Sequence, residues 1–186
     1  MKNKYEIIIH GRGGQGAKSA AEILVQAAIR KGKFVQAFPN FGPERTGAPM
    51  CSFVRISNEP IRTREPIVDP DCVLVLDETI ADVVDVTKNV TGTEALIINS
   101  SKEKSGLARK LKFNGNIKPI DASGISKEII GEDRPNMVLL GKLVFVTHIV
   151  ELEDLIHAFR DKYEKKLGKE RSDKNVKAIE RAFKNH

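Results

Sequence analysis

The chain has 186 residues, of which 40% are hydrophobic and 30% charged, enough for one domain whose core needs no disulfide or metal. No apolar run reaches the roughly 18 residues that cross a bilayer, and no signal peptide is visible, so we expect a cytoplasmic protein. The net charge of +6 comes largely from a C-terminal region where acids alternate with lysines, and aromatics make up only 5%, a composition that does not favour nucleic-acid binding.

Apolar runs and helical patterns alternate along most of the chain. A helix is predicted from Ala17 to a stop at Gly32, and the stretches "TIADVVDVTKNV" and "SGLARKLKF" repeat the order of strand then helix. This order predicts a single domain over residues 1–186 with an α/β, Rossmann-like fold: a largely parallel sheet with helices on both faces. The predicted strands are Tyr5–His10, Phe34–Phe38, Pro49–Ile56, Cys72–Asp77, Ala95–Ser100 and Ile117–Asp121.

Two regions depart from this alternation. The stretch "APMCSFVRISNEPIRTREPIVDPD" has the character of strand, turn and strand, which predicts a β-hairpin insertion or antiparallel edge turning at "SNEP". The stretch Arg134–Val150 is apolar on all sides, so it is a buried core helix or a contact for another subunit. A helical C-terminal tail follows, with one helix opened by Glu151 and Asp154 and a last one capped by Ser172.

A glycine-rich loop stands between the first strand and the first helix. Gly11, Gly13 and Gly16 have the G-x-G-x-x-G spacing, and Gly14 adds a fourth glycine. Free backbone amides at a strand-to-helix junction bind anions, and Arg12 and Gln15 add further donors. The loop therefore predicts a site for a phosphate-bearing ligand, unless it is only a tight turn that packs strand against helix.

A nicotinamide cofactor is a poorer match to this loop. Dinucleotide sites place a carboxylate at the end of the second strand, about 20 residues further on, to bind the ribose. That strand offers Gln36, and its first carboxylate is Glu44, beyond Pro39 and Gly42. An NAD(P)-dependent dehydrogenase with an atypical fingerprint stays open as an alternative.

A second stiff loop follows the second strand and carries Pro43, Glu44, Arg45, Thr46 and Gly47. Prolines restrict its backbone and glycines allow sharp corners. In a doubly wound sheet the loop would lie at the same edge as the glycine loop. The two loops are thus expected to form one anionic or subunit-binding crevice, unless the second is only a rigid surface loop.

The sequence shows no complete catalytic or metal-binding set. Cys51 and Cys72 fit no cluster motif and are expected to be small buried residues. The histidines are scattered, and Asp77, Glu78, Asp121 and Ser123 are expected first as helix caps, with His10 satisfied by backbone. The chain is therefore expected to be one part of an assembly, with no catalytic residue and no metal site of its own.

Four motifs in one order extend this interpretation across nearly the whole chain. They are "HGRGGQGAKSAAEIL", "AFPNFGPERTGAPMCSFVRIS", "EPIVDPDCVLVLDETI" and "NMVLLGKLVFVTHIVELEDLIHAF". The set resembles the gamma subunits of pyruvate:ferredoxin oxidoreductase (pyruvate synthase) and related 2-oxoacid:ferredoxin oxidoreductases. The "ERTGAP" loop looks more like the pyruvate and 2-oxoisovalerate branch than the 2-oxoglutarate branch.

The resemblance implies an oxidative decarboxylation of a 2-oxoacid with coenzyme A, which yields an acyl-CoA, carbon dioxide and reduced ferredoxin. It implies alpha, beta and delta-type partner subunits that carry thiamine diphosphate and iron–sulfur clusters, and a coenzyme A site on this chain. By this resemblance the phosphates would bind at Gly11, Arg12, Gly13, Gly14, Gln15 and Gly16, with Pro43, Glu44, Arg45, Thr46 and Gly47 as the second loop. A purely structural subunit with an empty glycine loop is the other alternative.

Overall fold

The computed structural model of the protein describes residues 2–41 and 47–185, without the side chain of Phe41. At its centre is a six-stranded sheet with the strand order β2-β3-β1-β4-β5-β6. The strands are β1 (Lys4–Arg12), β2 (Phe34–Phe41), β3 (Pro49–Ser57), β4 (Cys72–Val75), β5 (Ala95–Asn99) and β6 (Asn116–Ile120). The helices are α1 (Ala17–Arg30), a 3₁₀ helix (Glu78–Asp82), α2 (Lys104–Leu111), α3 (Ala122–Ile129), α4 (Pro135–Thr147), α5 (Leu152–Leu167) and α6 (Lys169–Phe183).

The sheet confirms the predicted α/β, Rossmann-like class. Strands β1, β4, β5 and β6 pair parallel with one another in that order, whereas β3 pairs antiparallel with both β1 and β2. Helices cover both faces. One face carries α1 and α3 to α6, and the other carries the 3₁₀ helix and α2 over the parallel strands. The helical C-terminal tail is present as α5 and α6.

The antiparallel hairpin exists, but the prediction that it turns at "SNEP" was wrong. The hairpin is β2 and β3, and the chain leaves the sheet after Ser57. Segment 58–68 instead lies against the sheet, because Gln36 donates to the Thr63 carbonyl and Arg55 donates to the Glu65 carbonyl. Prolines in this segment lack the amide that a strand ladder requires. The segment therefore lies over one face of the sheet, beside β2 and β3, and forms no strand there.

The apolar stretch predicted to be a helix is α4, and it is a core helix. Its residues Met137–Val144 are buried within this chain, which leaves the subunit-contact alternative without an exposed surface there. The helix ends at His148, whose φ of 50° lies in the left-handed region. α4 packs between the sheet, α1 and α6, so it needs no polar face.

Two predicted helix limits were wrong. The stretch 79–90 holds only the short 3₁₀ helix, because Asp85 bonds the amide and hydroxyl of Thr87 and opens a turn instead. α6 begins at Lys169, right after Gly168, so Ser172 is not its cap. Ser172 is buried, and its hydroxyl donates to Glu164 of α5. Of the helices in the described residues, none has the length and apolar character needed to cross a membrane.

Candidate functional site

A cleft of about 1140 Å³ opens at the carboxyl ends of the parallel strands. It lies where the connections from neighbouring strands part: β1 leads into α1 on one face, and β4 leads into the 3₁₀ helix on the other. Such a switch point is where open α/β sheets bind ligands. The lining includes Gly14, Gln15 and Gly16 of the glycine loop, but not Gly11, Arg12 or Gly13. It also includes Asp77 and Glu78 after β4, Asn99 and Ser100 at the end of β5, and residues 132–137 before and within α4.

The glycine loop has the backbone conformation that its composition predicts. Gly14 and Gly16 have φ values of 93° and 84°, which L side chains rarely adopt. A Cβ at Gly16 would lie 2.4 Å from Asn136 Nδ2, whereas one at Gly14 would meet nothing within 4 Å. A Cβ at Gly11 would touch Ala17 and Leu76. Packing therefore explains Gly11 and Gly16, and Gly14 is left facing open space.

The backbone amides of the loop differ in whether they donate hydrogen bonds to the described residues. Arg12 N donates to Gln15 Oε1 at 2.7 Å, Gly13 N to the Ala48 carbonyl at 3.0 Å, and Gln15 N to the Arg12 carbonyl at 3.0 Å. The amides of Gly14 and Gly16 donate no hydrogen bond to any of the described residues. The first intrahelical bond is the one from Ala20 N to the Gly16 carbonyl. Within the described part of the chain, donors without a partner thus remain at the tip of the loop and the start of α1.

The side chains predicted to bind phosphate have partners inside the protein. Arg12 Nη2 donates to the Thr79 hydroxyl at 2.8 Å and Nη1 to the Gly47 carbonyl at 3.2 Å, and Nε lies 3.3 Å from Asp77 Oδ2. Gln15 Nε2 donates to the same Asp77 oxygen at 2.8 Å. Partial burial raises the pKa of Asp77, but hydrogen bonds from Thr79 and Gln15 and the charge of Arg12 outweigh it, so the pKa lies below its ordinary value.

The second predicted loop meets the glycine loop in part. Gly47 is exposed, and its carbonyl accepts from Arg12, while the neighbouring Ala48 accepts from Gly13. The remaining predicted residues of that loop, Pro43, Glu44, Arg45 and Thr46, lie outside the described residues.

The floor of the cleft is polar. Glu78 accepts from Lys102 Nζ at 2.5 Å and from the Ser100 hydroxyl, which lowers the pKa of Glu78 against a desolvation effect that raises it. Asn99 donates to Ser123, whose hydroxyl donates to Asp133 at 2.7 Å. These carboxylates are satisfied by hydrogen bonds, so the floor offers fixed polar groups to a ligand.

Three cationic side chains also line the cleft and are here called its rim: Arg134, Lys166 and Arg171. Arg134 and Arg171 both reach Glu132, at 2.5 and 3.2 Å, and Lys166 is an exposed member of the cleft lining. The sequence interpretation missed this rim, because its residues come from the start of α4, the end of α5 and the start of α6. Only the packing of the C-terminal helices brings them to the cleft.

The remaining predicted residues have structural surroundings. Asp77 caps the 3₁₀ helix and Asp121 caps α3, as expected. Cys72 is buried in β4 and Cys51 is half-buried in β3, and burial raises the pKa of both thiols. What the sequence interpretation did not find is the second role of Asp77 as the partner of Arg12 and Gln15. The only sequence feature that indicated this role was a carboxylate at the end of a strand predicted to lie beside the glycine loop.

His10, next to the loop, predicts a pH effect on stability. Burial lowers the pKa of its imidazole to about 4, so below the ordinary value of 6.5 the unfolded chain binds a proton that the folded chain does not. Stability is therefore expected to fall by roughly 1–3 kcal/mol as the pH drops from 6.5 to 4. Urea unfolding of wild type and His10→Asn at several pH values tests this. Equal pH slopes in the two proteins would contradict it.

Comparisons with known proteins agree with this architecture. The family model for pyruvate ferredoxin/flavodoxin oxidoreductase matches residues 6–185. The common gamma subunit of the pyruvate/ketoisovalerate oxidoreductases of Thermococcus kodakarensis is 45% identical over 179 residues, 96% of this chain and 95% of the relative. The pyruvate synthase subunit PorC of Thermotoga maritima is 42% identical over 98% of this chain and 94% of its own length.

Solved structures have the same fold. The crystal structure of pyruvate oxidoreductase subunit PORC from Thermotoga maritima superposes with a TM-score of 0.88 at 38% identity, covering 98% of this chain and 96% of that one. The 2-oxoglutarate:ferredoxin oxidoreductase of Magnetococcus marinus, solved with 2-oxoglutarate, coenzyme A and succinyl-CoA bound, matches with a TM-score of 0.77 at 24% identity, covering 98% of this chain and 31% of that one. At that identity the second likeness shows the fold alone.

The fold and cleft thus define an α/β subunit with a ligand site at a strand switch point. Together with these matches, they show that the chain belongs to the pyruvate ferredoxin/flavodoxin oxidoreductase family. Within that family it is a gamma-type subunit of a multisubunit 2-oxoacid:ferredoxin oxidoreductase. The alternative of a free-standing NAD(P)-dependent dehydrogenase is set aside by this assignment.

Proposed function

We propose that this single-domain subunit binds coenzyme A for an oxidoreductase that converts pyruvate or 2-oxoisovalerate to an acyl-CoA, carbon dioxide and reduced ferredoxin. The substrate names come from the relatives, which are pyruvate/ketoisovalerate and pyruvate synthase subunits at 42–45% identity. The observation that carries the ligand role is the pair of amides at Gly14 and Gly16, which have no hydrogen-bond partner among the described residues and belong to residues that line the cleft.

The cleft suits a long ligand that carries several phosphates. Its volume exceeds the roughly 300–1,000 Å³ of sites that hold drug-sized ligands. The free amides and the positive end of α1 favour a diphosphate at the glycine loop. Contact there is proposed through the backbone, because the side chains of Arg12 and Gln15 have internal partners. The cations of the rim would then face the other anionic groups of the ligand.

The rest of the reaction is assigned to partner subunits. Alpha, beta and delta-type subunits would hold thiamine diphosphate and the iron–sulfur clusters, with ferredoxin as the electron acceptor of the complex. The two cysteines of this chain could not ligate a four-iron cluster, which takes four thiolates. The subunit would thus contribute a ligand site and an assembly surface.

A carboxylate placed beside the glycine loop tests the ligand role. Ser19 lies in the first turn of α1 and lines the cleft. In the assembled complex, Ser19→Glu is expected to raise the KM for coenzyme A roughly ten- to hundredfold, because the new charge repels the phosphates. The kcat at saturating coenzyme A should be unchanged. Folding should not suffer, since the first turn of a helix favours acidic residues.

Two matched variants separate charge, size and position. Ser19→Gln has the size of the glutamate without its charge and is expected to change the KM less than threefold. Lys18→Glu changes the charge by two units one residue earlier and removes an ion pair with Glu22. Because position 18 is exposed and outside the cleft lining, this variant should also have little effect on the KM. An unchanged KM in Ser19→Glu would remove coenzyme A from this cleft and leave a purely structural subunit.

A further inference from the structure

The carboxylate of Asp77 contacts both the glycine loop and the 3₁₀ helix. It follows β4, and its Oδ1 accepts from the amide and the hydroxyl of Thr79 at 2.9 and 2.7 Å. Its Oδ2 accepts from Gln15 Nε2 at 2.8 Å and lies 3.3 Å from Arg12 Nε. Both oxygens are therefore occupied by groups of the protein, and the side chain is only 22% exposed. Asp77 is thus placed to act on the loop and not on a ligand.

Gln15 and Arg12 carry the effect of Asp77 to the backbone of the glycine loop. The same Gln15 amide that donates to Asp77 accepts from Arg12 N at 2.7 Å, which closes the loop on itself. Arg12 in turn donates to the Gly47 carbonyl at 3.2 Å, at the entrance to β3. A loop with this many glycines has many other backbone conformations available, so it needs such contacts to hold one of them.

We propose that Asp77 is a positioning residue for the anion site: through Gln15 and Arg12 it holds the glycine loop in the conformation in which the Gly14 and Gly16 amides have no partner among the described residues. The inference rests on the proposed binding of coenzyme A at this loop. Arg12 offsets the negative charge of Asp77, so an anion can bind close by.

The direction in which one substitution changes the KM for coenzyme A distinguishes positioning from a simple electrostatic effect. Asp77→Asn keeps the size of the side chain and the capping oxygen for Thr79. The new amide group, however, cannot accept from Gln15 Nε2. If Asp77 acted only through its charge, its removal beside an anion would lower the KM for coenzyme A. Positioning predicts the opposite, a rise of roughly tenfold in the assembled complex with kcat at saturating coenzyme A unchanged.

A second substitution provides the rescue. In the double variant Asp77→Asn with Gln15→Glu, the asparagine introduced at position 77 donates to the glutamate introduced at position 15. That glutamate still accepts from the Arg12 amide. Because one carboxylate is removed and one is added, the double variant has the same net charge as the wild type. The KM is expected to return to within about threefold of wild type. Glu78→Gln removes a neighbouring carboxylate whose hydrogen bonds come from Ser100 and Lys102, and it should follow the electrostatic sign, with an equal or lower KM.

Hydrogen exchange of the peptide spanning residues 11–19, measured without coenzyme A, tests the positioning independently of the ligand. Faster exchange in Asp77→Asn, reversed in the double variant, supports it. Unchanged exchange, or a KM that falls in Asp77→Asn, overturns it. If exchange rises while Ser19→Glu leaves the KM unchanged, the positioning of the loop stands and the coenzyme A assignment fails.

Discussion

Replacing Gly141 with alanine is expected to destabilise the protein by about 2–3 kcal/mol, although alanine is the better helix former. A Cβ at this position would lie 2.2 Å from the Ile179 carbonyl oxygen and 3.2 Å from the Phe183 amide nitrogen. Both are backbone atoms of α6, so no side-chain rotation relieves the overlap. α4 and α6 would have to separate along their crossing.

The size of this effect follows from the place of α4 in the core. The helix packs against the sheet on one side and α6 on the other, and its residues on both sides of Gly141 are buried. A shift of α4 would open gaps in a close-packed interior, and a shift of α6 would expose apolar surface that α6 now covers.

Thermal and urea unfolding of Gly141→Ala, compared with Gly106→Ala, measures this effect. Gly106 lies in α2, and a Cβ there meets nothing within 4 Å, so its replacement should be neutral or stabilising by up to about 1 kcal/mol. The two variants make the same chemical change in two helices, but only Gly141→Ala should lower the free energy of unfolding. A Gly141→Ala protein as stable as wild type would mean that the two helices do not cross this closely.

Replacing Arg55 with methionine is expected to cost about 2–4 kcal/mol of stability. The Arg55 side chain is 4% exposed, and its Nε lies 2.6 Å from Glu6 Oε1. Its other nitrogens donate to Gln36 Oε1 at 2.8 Å and to the Glu65 carbonyl at 2.6 Å. The substitution leaves a partly buried carboxylate and two acceptors without their donor, and it releases segment 58–68 from the sheet.

Controls for Arg55 come from the same chain. Lys174→Met breaks an exposed pair with Glu170 at 2.8 Å and should change stability by less than about 0.5 kcal/mol. The double variant Arg55→Met with Glu6→Gln should recover part of the loss, because it removes the partly buried carboxylate that has lost its Arg55 partner, although Lys4 also loses its pair with Glu6. Limited proteolysis should show earlier cleavage within 58–68 in Arg55→Met. Equal losses for the buried and the exposed pair would refute the prediction.

Much of the fold could be predicted because it depends on local patterns. The parallel strands are short apolar runs, and the strand–loop–helix order around Gly11–Gly16 follows from glycines between two periodic segments. The position of the hairpin could not be predicted, because Phe34–Phe41 and the segment after Ser57 both resemble strands. Segment 58–68 instead accepts hydrogen bonds from the side chains of Gln36 and Arg55. These contacts join residues far apart in the chain.

The sequence by itself determined the class of the fold, the glycine loop at the first strand-to-helix junction and the resemblance to gamma subunits, since each depends on neighbouring residues. Only the tertiary structure decided how the loop is used. It turned the side chains of Arg12 and Gln15 toward Asp77, left the amides of Gly14 and Gly16 without a partner among the described residues, and brought Arg134, Lys166 and Arg171 to the cleft. These contacts join β1, β4 and the C-terminal helices, and hydrogen-bond partners at such separations are chosen by packing, which no local pattern records.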